Sequence, residues 1–349
     1  MPTLVTGATG VIGPRLVKAL LERGDEVRVF ARPSSDASVL DGSAEIVRGD
    51  ITDADAVKRA VSGCRRIFHL AAVYESWVPK QRTYFDVNVG GTVNVLEAAL
   101  ESGIERMVHA SSASTIGEAE GETGNEETAH RGYFLTNYER SKWEAEQLIL
   151  EYVEKGVPAV MVNPTSVYGP GDLTGNGLTL KQLLNGRITA TTPSMASYVF
   201  IDDLVKGLLA ADEKGVPGER YILTGSNLPR NAFLRLAAEI AGITPVISLT
   251  PVWVIRVIVW MHDIRHKLTG KAPGLSRSAA AVAMHGFQYD GSKAARELGI
   301  EFTSLEDGLD ATIDWLYREG HVELPDEVLV DSAEDDEPLD ESEDRSESG

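Results

Sequence analysis

The hydrophobic pattern at the start of the chain predicts a short strand, a glycine-rich turn and a helix. Thr3–Thr6 is β-branched and apolar, as in a buried strand, and residues 16–24 repeat apolar positions at helical spacing. Between them stands Gly7-Ala8-Thr9-Gly10-Val11-Ile12-Gly13. The three glycines suit, in order, a tight turn, a close approach to a pyrophosphate, and tight packing of helix on strand. Because a helix N-terminus attracts anions, this stretch predicts a dinucleotide site.

The following pattern alternates apolar strands with amphipathic helices. Strands are predicted at 26–31, 44–50, 66–72, 106–112 and 157–164. Helices are predicted at 87–101 and 137–155, and a further helix, capped by Thr52 or Asp53, is predicted to run through Val61. The helix at 87–101 is expected to bury Val89, Val93, Leu96 and Leu100 on one face. This rhythm is typical of the α/β class, with a doubly wound parallel sheet and helices on both faces.

Beyond Pro164 the rhythm breaks. Residues 198–201 are expected to return to the sheet as a strand, with Asp202 and Asp203 capping a helix, and 220–223 as one more strand. Residues 231–320 are expected to be mostly helical. We therefore predict a dinucleotide-binding domain at 1–165, to which 199–226 return. A smaller substrate lobe, 166–198 and 227–322, would cover the carboxyl edge of the sheet, where such sheets bind ligands.

Charge and composition narrow the range of partners. The 349 residues are 43% apolar and 25% charged, as in a soluble globular protein, and the net charge of −20 argues against nucleic acid. Residues 331–349 alone carry −9, so a tail at 326–349 is expected to be disordered and acidic. The remaining −11, with 11 lysines against 22 arginines, suggests a halophilic protein; a merely acidic one is the alternative.

Cysteine, histidine and hydropathy patterns exclude further classes of site. The single Cys64 excludes a disulfide framework and fits a reducing cytoplasm. The histidines show no metal-ligand spacing, so we expect no metal. The apolar run 251–261 is interrupted by Arg256 and is short of the ~20 residues of a membrane span. A run of apolar residues like this one more often belongs to a core or to the wall of a substrate pocket. A role at the membrane interface is the less favoured alternative. A homodimer is left open.

Candidate chemistry lies on the helix at 137–155. Tyr138 and Lys142 are four residues apart and share its inward face. Tyrosine has a pKa of ~10, and a neighbouring cation is expected to lower it towards that of a useful acid–base group. Ser112, at the end of the fifth strand, is placed to hydrogen-bond a substrate oxygen beside that tyrosine. Together with the glycine turn, these residues predict catalysis rather than a chance pattern.

At this point the chain resembles the extended short-chain dehydrogenase/reductase superfamily over about residues 3–320. The matching motifs are T-G-A-T-G-V-I-G at 6–13, G-D-I-T-D at 49–53, H-L-A-A at 69–72, N-V-G-G-T at 88–92, S-S-A-S-T at 111–115, Y-E-R-S-K at 138–142, N-P-T-S-V-Y-G-P-G-D at 163–172 and Y-V-F-I-D-D at 198–203. It is most similar to the dihydroflavonol-reductase-like, hopanoid-associated sugar epimerase and 3β-hydroxysteroid dehydrogenase groups. The resemblance implies a Rossmann domain and a small-molecule substrate.

The resemblance also implies roles for individual residues. Ser112, Tyr138 and Lys142 would be catalytic, and Lys142 would also hold the nicotinamide ribose. The residues implied in cofactor binding are Gly7, Thr9, Gly10, Val11, Ile12, Gly13, Arg32, Asp50, Ile51, Leu70, Ala71, Ala72, Asn88, Tyr138, Lys142, Pro164 and Val167. Taken alone, Asp50 and Asn88 are equally explained as a helix cap and a turn residue.

Departures from the family pattern bear on cofactor and reaction. Ala31 stands where NAD-using relatives carry an acid, and the following Arg32 suits a 2′-phosphate, so NADP is predicted and NAD is left open. The stretch 114–116 lacks the Asp-Glu pair of dehydratases, and 168–172 lacks an arginine common in sugar-nucleotide epimerases. The sequence favours an oxidoreductase interconverting a secondary alcohol and a carbonyl. A sugar-nucleotide epimerase and a non-enzymatic NADP-binding regulator are the alternatives.

Overall fold

The computed structural model describes residues 1–40, 42–244 and 247–323. The acidic tail predicted at 326–349 lies outside the described residues.

Strands recur through the described chain, and they are short. They are β1 (Thr3–Thr6), β2 (Val27–Ala31), β3 (Glu45–Arg48), β4 (Arg66–His69), β5 (Arg106–Ala110), β6 (Thr123–Gly124), β7 (Ala159–Pro164), β8 (Ser166–Tyr168), β9 (Ala190–Thr191), β10 (Met195–Phe200), β11 (Arg220–Leu223), β12 (Ser226–Pro229), β13 (Ser248–Leu249) and β14 (Gln288–Tyr289).

Helices connect the main strands and make up most of the chain after residue 230. They are α1 (Gly13–Glu22), α2 (Ala54–Val61), α3 (Arg82–Tyr84), α4 (Gly91–Ser102), α5 (Asn137–Glu154), α6 (Asn176–Leu184), α7 (Ile201–Lys214), α8 (Arg230–Ile240), α9 (Val252–Thr269), α10 (Arg277–His285), α11 (Ser292–Leu298) and α12 (Leu305–Arg318). A π-helical segment, Phe85–Gly90, joins α3 to α4, and a 3₁₀ turn, Ala113–Ile116, follows β5.

The main sheet has seven strands in the order β11-β7-β5-β4-β1-β2-β3, and every pairing in it is parallel. The strand order reverses between β1 and β4, which is the switch point of a Rossmann fold. The predicted doubly wound α/β fold is therefore confirmed. The carboxyl ends of all these strands meet at one edge, so the loops that follow them are brought together there.

Helices cover both faces of this sheet. On one face α1, α7 and α11 bury residues such as Leu16, Leu208 and Leu298 against the strands. On the other, α2, α4 and α5 bury residues such as Val57 and Leu96. A separate apolar cluster joins α6, α8 and α12 around β8 and β10, outside the main sheet. The chain after residue 230 is mostly helical, as the sequence predicted.

The expectation that residues 198–201 return to the main sheet is wrong. They lie in β10, which pairs parallel with β8 and antiparallel with β12 in a separate three-stranded sheet. Only β11 returns, pairing with β7 at the edge. The reason is geometric: with β11 at the edge position beside β7, β10 instead pairs with the strand that branches off directly after β7. The domain boundaries stay a prediction.

The predicted face of the helix at 87–101 is also shifted. Thr92, Val95, Leu96 and Ala99 are buried, whereas Leu100 is exposed. The cause is the π-helical segment Phe85–Gly90, whose wider turn rotates the side chains that follow it relative to a regular helix.

Neither aspartate at the start of α7 caps it with its side chain; both tie distant segments together instead. Asp202 pairs with Arg15 of α1 at 2.8 Å. Asp203 is fully buried and accepts hydrogen bonds from the backbone and hydroxyl of Thr303, at 2.7 and 2.9 Å. The expected capping role is therefore wrong, and these carboxylates fasten α1 and the start of α12 onto α7.

Candidate active site

The glycine turn after β1 is shaped by close approach. Gly7 has φ +71°, and a Cβ there would lie 2.6 Å from the backbone nitrogen of Ala71 in the loop after β4. A Cβ on Gly13 would lie 2.2 Å from the carbonyl oxygen of Ala8. Side chains at these two positions would push the helix or the neighbouring loop away. Gly7 thus makes a tight turn against the loop after β4, and Gly13 allows the start of α1 to pack closely on Ala8 of the turn.

The N-terminus of α1 remains available to an anion. In the part of the chain that the structure describes, no side chain caps this end, and its first turn holds no acidic residue. Gly10 is exposed, and its amide donates to the carbonyl of Gly7 at 3.1 Å. The amides of the helix start and its dipole therefore face outward at the sheet edge, which is the geometry that binds phosphates.

Two arginines border the neighbouring edge, at the ends of β2 and β3. Arg32 is exposed, directly after Ala31. Arg48 stands opposite Ala31 in the β2–β3 register, and its Nη1 donates to the carbonyls of Arg32 and Ser35 at 2.9 and 2.8 Å. Arg48 thereby fixes the loop that carries Arg32. The pKa of Asp50 is lowered by hydrogen bonds from Thr52 and, to a smaller extent, by Arg32.

Asp50 is not the helix cap that sequence reasoning kept as an alternative. Asp53 caps α2, accepting from the amides of Asp55 and Ala56 at 3.0 and 3.1 Å. Asp50 instead forms a turn with Thr52 beside the arginine loop.

Asn88, inside the π-helical segment, connects the loop after β4 to the catalytic helix. Its Oδ1 accepts from the amide of Val73 at 2.7 Å, and its Nδ2 donates to the carbonyl of Val73 at 3.0 Å. The same Nδ2 donates to Ser141 Oγ at 2.9 Å, and Ser141 donates to the carbonyl of Tyr138 at 2.8 Å. Asn88 is buried and clamps two elements, so it is more than a turn residue.

Ser112 and Tyr138 meet where β5 ends. Ser112 caps the 3₁₀ turn that follows β5, and its Oγ lies 2.9 Å from that of Ser114. Burial raises the pKa of the Tyr138 phenol, while a hydrogen bond with the Ser112 side chain acts in the opposite direction. The preceding Ser111 points elsewhere, donating to Glu146 at 2.5 Å. The structure thus favours Ser112 over Ser111 as the serine of the site.

Lys142 is 2% exposed on the inward face of α5. Its Nζ donates to the carbonyl of Ala110 at 2.6 Å and lies 3.3 Å from His109 Nε2. Burial lowers its pKa to about 8. The expectation that Lys142 leaves Tyr138 with a lowered pKa is wrong for this state of the protein, because dehydration of the phenol dominates and the ammonium is engaged by the end of β5.

A row of buried polar groups links the glycine-turn strand to Lys142. Thr6 Oγ1 lies 2.7 Å from His69 Nδ1, and His69 Nε2 lies 3.0 Å from Thr92 Oγ1. The rings of His69 and His109 are 5.1 Å apart, and His109 reaches Lys142. Burial holds the pKa of His69 to about 3 and that of His109 well below its usual value. Both histidines are therefore neutral beside the cationic lysine.

Sequence reasoning missed Glu146, the hub one turn beyond Lys142. Its Oε1 accepts from Ser111 at 2.5 Å, Thr115 at 3.0 Å and Asn163 at 2.6 Å, and Arg220 lies 3.7 Å from Oε2. Burial raises its pKa. The signal was available, because position 146 continues the inward spacing of 138 and 142. Arg48 was missed as well, since only the register of β3 places it beside Arg32.

The remaining predicted residues also lie at the carboxyl edge of the sheet. Thr9, Val11 and Ile12 lie in or beside the glycine turn, Ile51 follows β3, Leu70, Ala71 and Ala72 follow β4, Pro164 ends β7 and Val167 lies in β8. Arg32 stands apart from the catalytic residues, since β1 and β4 separate β2 from β5. The predicted residues thus lie along one edge, with the arginines at one end and Ser112, Tyr138 and Lys142 at the other.

The described ranges 1–40, 42–244 and 247–323 lack two further kinds of feature. They contain no group of three or more His, Cys, Asp or Glu residues that could hold a metal ion. Nor do they contain a helix that is both long and apolar enough to cross a membrane.

Comparison with known proteins now identifies the family. The model of the NAD dependent epimerase/dehydratase family matches residues 3–223. The chain belongs to this family. Since this epimerase/dehydratase family is a branch of the extended short-chain dehydrogenase/reductases, and relatives of the chain are named as reductases and dehydrogenases, it is an NAD(P)-dependent oxidoreductase. The suspected superfamily and enzyme class are confirmed.

Individual relatives match nearly the whole chain. "Sterol demethylase protein B" of Methylococcus capsulatus is 32% identical, over 92% of this chain and 100% of its own. The 4-hydroxy-2-methyl-3-oxo-4-farnesyl-3,4-dihydroquinoline-1-oxide ketoreductase of Stigmatella aurantiaca is 28% identical, over 89% and 95%. The crystal structure of gox2253 has a TM-score of 0.81 at 32% identity, over 92% and 99%.

Proposed function

We propose that this protein interconverts a ketone or aldehyde and the corresponding secondary or primary alcohol, with NADP as its preferred cofactor. The observation that carries the proposal is the meeting of Ser112 with Tyr138 at the end of β5, beside a buried Lys142. A phenol hydrogen-bonded to a serine and set one helical turn from an ammonium is suited to exchange a proton with a carbonyl oxygen.

Each of these residues has its own part in the reaction. The bound cofactor supplies or accepts the hydride at the carbon. Tyr138 gives its hydroxyl proton to the carbonyl oxygen in reduction and takes it back in oxidation. Ser112 donates a hydrogen bond to the same oxygen and holds it beside the phenol. The Lys142 ammonium, held at the end of β5 by the carbonyl of Ala110, adds positive charge to the site as negative charge develops on the reacting oxygen.

Burial raises the pKa of Tyr138, so the phenol carries its proton at neutral pH and can donate it to a carbonyl oxygen.

Several features of the edge fit a dinucleotide, and two of them favour NADP. Gly7 leaves room for the loop after β4, and the start of α1 faces outward without a side-chain cap among the described residues. Ala31 offers no carboxylate to a ribose 2′-hydroxyl. Arg32 and Arg48 instead concentrate positive charge at that corner, which suits a 2′-phosphate through charge-assisted hydrogen bonds.

The loop after β8 argues against a sugar-nucleotide epimerase. Gly171 has φ +87°, a conformation that favours glycine, so the arginine common in such epimerases would be strained there. The adjacent Asp172 is buried and accepts from the amides of Thr174, Gly175 and Gly177 at 2.7–2.9 Å. The loop is thus organised internally. The two full-length relatives named for a sterol and a farnesylated quinoline suggest a bulky apolar substrate.

The test is a cofactor assay with a substrate panel. Purified protein is mixed with NADPH or NADH and apolar ketones, aldehydes or sugar nucleotides, and loss of reduced-nicotinamide absorbance is followed with product analysis. We expect one NADPH consumed for each alcohol formed. A product formed without net consumption of reduced cofactor would identify an epimerase and contradict the proposal.

Cofactor choice is tested by separate titrations. Arg32→Ala should weaken NADPH binding by roughly 10- to 100-fold, the loss of one charge-assisted contact, and leave NADH nearly unchanged. Arg235→Ala, a matched control on α8, should alter neither. Equal affinity of the unmodified protein for both cofactors would overturn the NADP assignment.

A further inference from the structure

Helix α9 exposes an apolar stripe that the rest of the described chain does not cover. Trp253 is 68% exposed, Trp260 62% and Leu268 81%, whereas Ile255 is the only residue of the helix that is buried. The exposed large apolar residues are Val252, Trp253, Val257, Trp260, Met261, Ile264 and Leu268. They recur every three or four positions, so they form one stripe about 22 Å long.

Basic residues flank this stripe in an otherwise acidic protein. Residues 252–277 carry five basic side chains and one acidic one, a net of +4 in a chain whose total is −20. The only acid, Asp263, is paired with Arg277. Among the described residues, Arg256, Arg265, Lys267 and Lys271 have no carboxylate at ion-pair distance, and all four are exposed. Their charge is therefore free to meet an external anion.

The helix lies next to the candidate active site. Its last turns contact the loop after β4, where the rings of Trp77 and His266 are 5.6 Å apart. Ser276, just beyond the helix, donates to the carbonyl of Ser76 at 3.0 Å. This same loop is held by Asn88 through Val73 and by the Tyr84 hydroxyl. A surface bound to α9 would thus lie beside the loop after β4.

We propose that α9 docks this protein on the surface of an anionic lipid bilayer, lying in the plane of the headgroups without spanning it. Tryptophans on an exposed apolar stripe, bordered by Arg and Lys, are the composition of an interfacial helix. The cationic flank pairs with anionic headgroups, because an anionic bilayer surface attracts basic side chains that lie close to it.

A second copy of the chain fits this surface less well. A symmetric pair would set the same patch against itself, bringing two clusters of +4 together as their apolar stripes met. Like charges at that separation repel, and the described part of the chain leaves these four basic residues without carboxylates to offset it. A bilayer containing anionic lipids satisfies the apolar stripe and the basic flank at once.

Vesicle binding of the full chain tests the proposal. Protein is sedimented with vesicles of phosphatidylcholine alone or mixed with phosphatidylglycerol, at low and high salt. We expect binding to the mixed vesicles that weakens as salt rises. Trp253→Ser with Leu268→Ser should reduce it about 100-fold, and Arg265→Gln with Lys267→Gln roughly 10- to 30-fold on the anionic vesicles.

The control variant changes exposed apolar residues elsewhere. Leu100→Ser with Tyr133→Ser alters side chains that are 41% and 55% exposed on other parts of the surface, and should leave vesicle binding unchanged. Thermal unfolding of each variant checks that the fold is intact. Since vesicle binding needs neither substrate nor cofactor, its failure leaves the catalytic proposal untouched.

Three outcomes would overturn the proposal. The first is no binding of the unmodified chain to anionic vesicles. The second is binding that survives Trp253→Ser with Leu268→Ser. The third is a stable dimer by light scattering that this variant converts to a monomer, with no vesicle binding in either form, since the stripe would then be a subunit interface.

Discussion

Helices α5 and α9 are both 18 residues long, yet they distribute polarity in opposite ways. α5 turns Glu139, Lys142 and Glu146 into the interior, each at most 2% exposed. α9 turns Trp253 and Leu268 outward. An ordinary amphipathic helix would do the reverse at these positions. Both departures carry a cost, because buried charges must be dehydrated and exposed apolar side chains lower solubility.

The two helices differ in whether the buried charges of α5 and the exposed apolar side chains of α9 have partners within the fold. On α5 every buried charge has partners within the fold: Arg131 for Glu139, the end of β5 for Lys142, and three donors for Glu146. On α9 the apolar stripe has none among the described residues. A buried charge must be satisfied internally because dehydration is costly. An exposed apolar stripe is tolerated in water and gains its partner only from outside.

The largest effect is expected at Tyr138. Tyr138→Phe removes the proton donor and keeps the ring, so turnover should fall 10²- to 10⁴-fold while cofactor affinity survives. Steady-state rates and cofactor titrations measure the two separately. Tyr152→Phe, on the same helix, should keep full activity. A Tyr138→Phe enzyme as fast as the unmodified one would remove the catalytic role from α5.

Glu146 should dominate the stability of α5. Glu146→Ala leaves the buried donors of Ser111, Thr115 and Asn163 without their acceptor, which should lower the free energy of unfolding by roughly 3–5 kcal/mol. Denaturant unfolding measures it. Glu144→Ala breaks only an exposed pair with Arg140 and should cost under about 0.5 kcal/mol. A similar loss of unfolding free energy in both variants would show that the hydrogen bonds to Glu146 do not stabilise the fold.

Lys142 should give α5 a distinct pH dependence. Its pKa is lowered to about 8 in the folded protein and is ~10.4 in the unfolded chain, so the unfolded state binds more protons between these values. The free energy of unfolding should therefore rise with pH across this window, by about 3 kcal/mol relative to Lys142→Met. The free energy of unfolding is measured against pH for both proteins without cofactor. Two parallel curves would contradict the lowered pKa of a buried Lys142.

Salt should affect the acidic body and α9 in opposite directions. Self-repulsion within the net charge of −11 on residues 1–330 weakens the fold at low ionic strength, so potassium chloride should raise the melting temperature by roughly a few degrees. Attachment of α9 to anionic vesicles should weaken over the same range. A flat or falling melting curve would remove the halophilic interpretation, whatever α9 does.

Much of the cofactor edge was accessible from local sequence, because its determinants are short in range. The turn at Gly7, the packing at Gly13 and the alternation of strands with helices depend on neighbours within a few residues. Ser112, Tyr138 and Lys142 were likewise predicted from strand ends and one-turn spacing. Each of these features depends on residues close to it along the chain, so it can be predicted from a single sequence.

Features that depend on distant partners were decided only by the tertiary structure. β10 left the main sheet because β11 pairs with β7, and the π-helical segment shifted the buried face of α4. The pKa of Tyr138 is raised because burial of the phenol outweighs its hydrogen bond with Ser112, a balance that residue spacing cannot show. The sequence likewise could not determine whether the apolar side chains of Val252–Thr269 are buried, since their pattern suits a core, a pocket wall or an interface. Burial depends on what the rest of the chain brings to that face, and that information is not local.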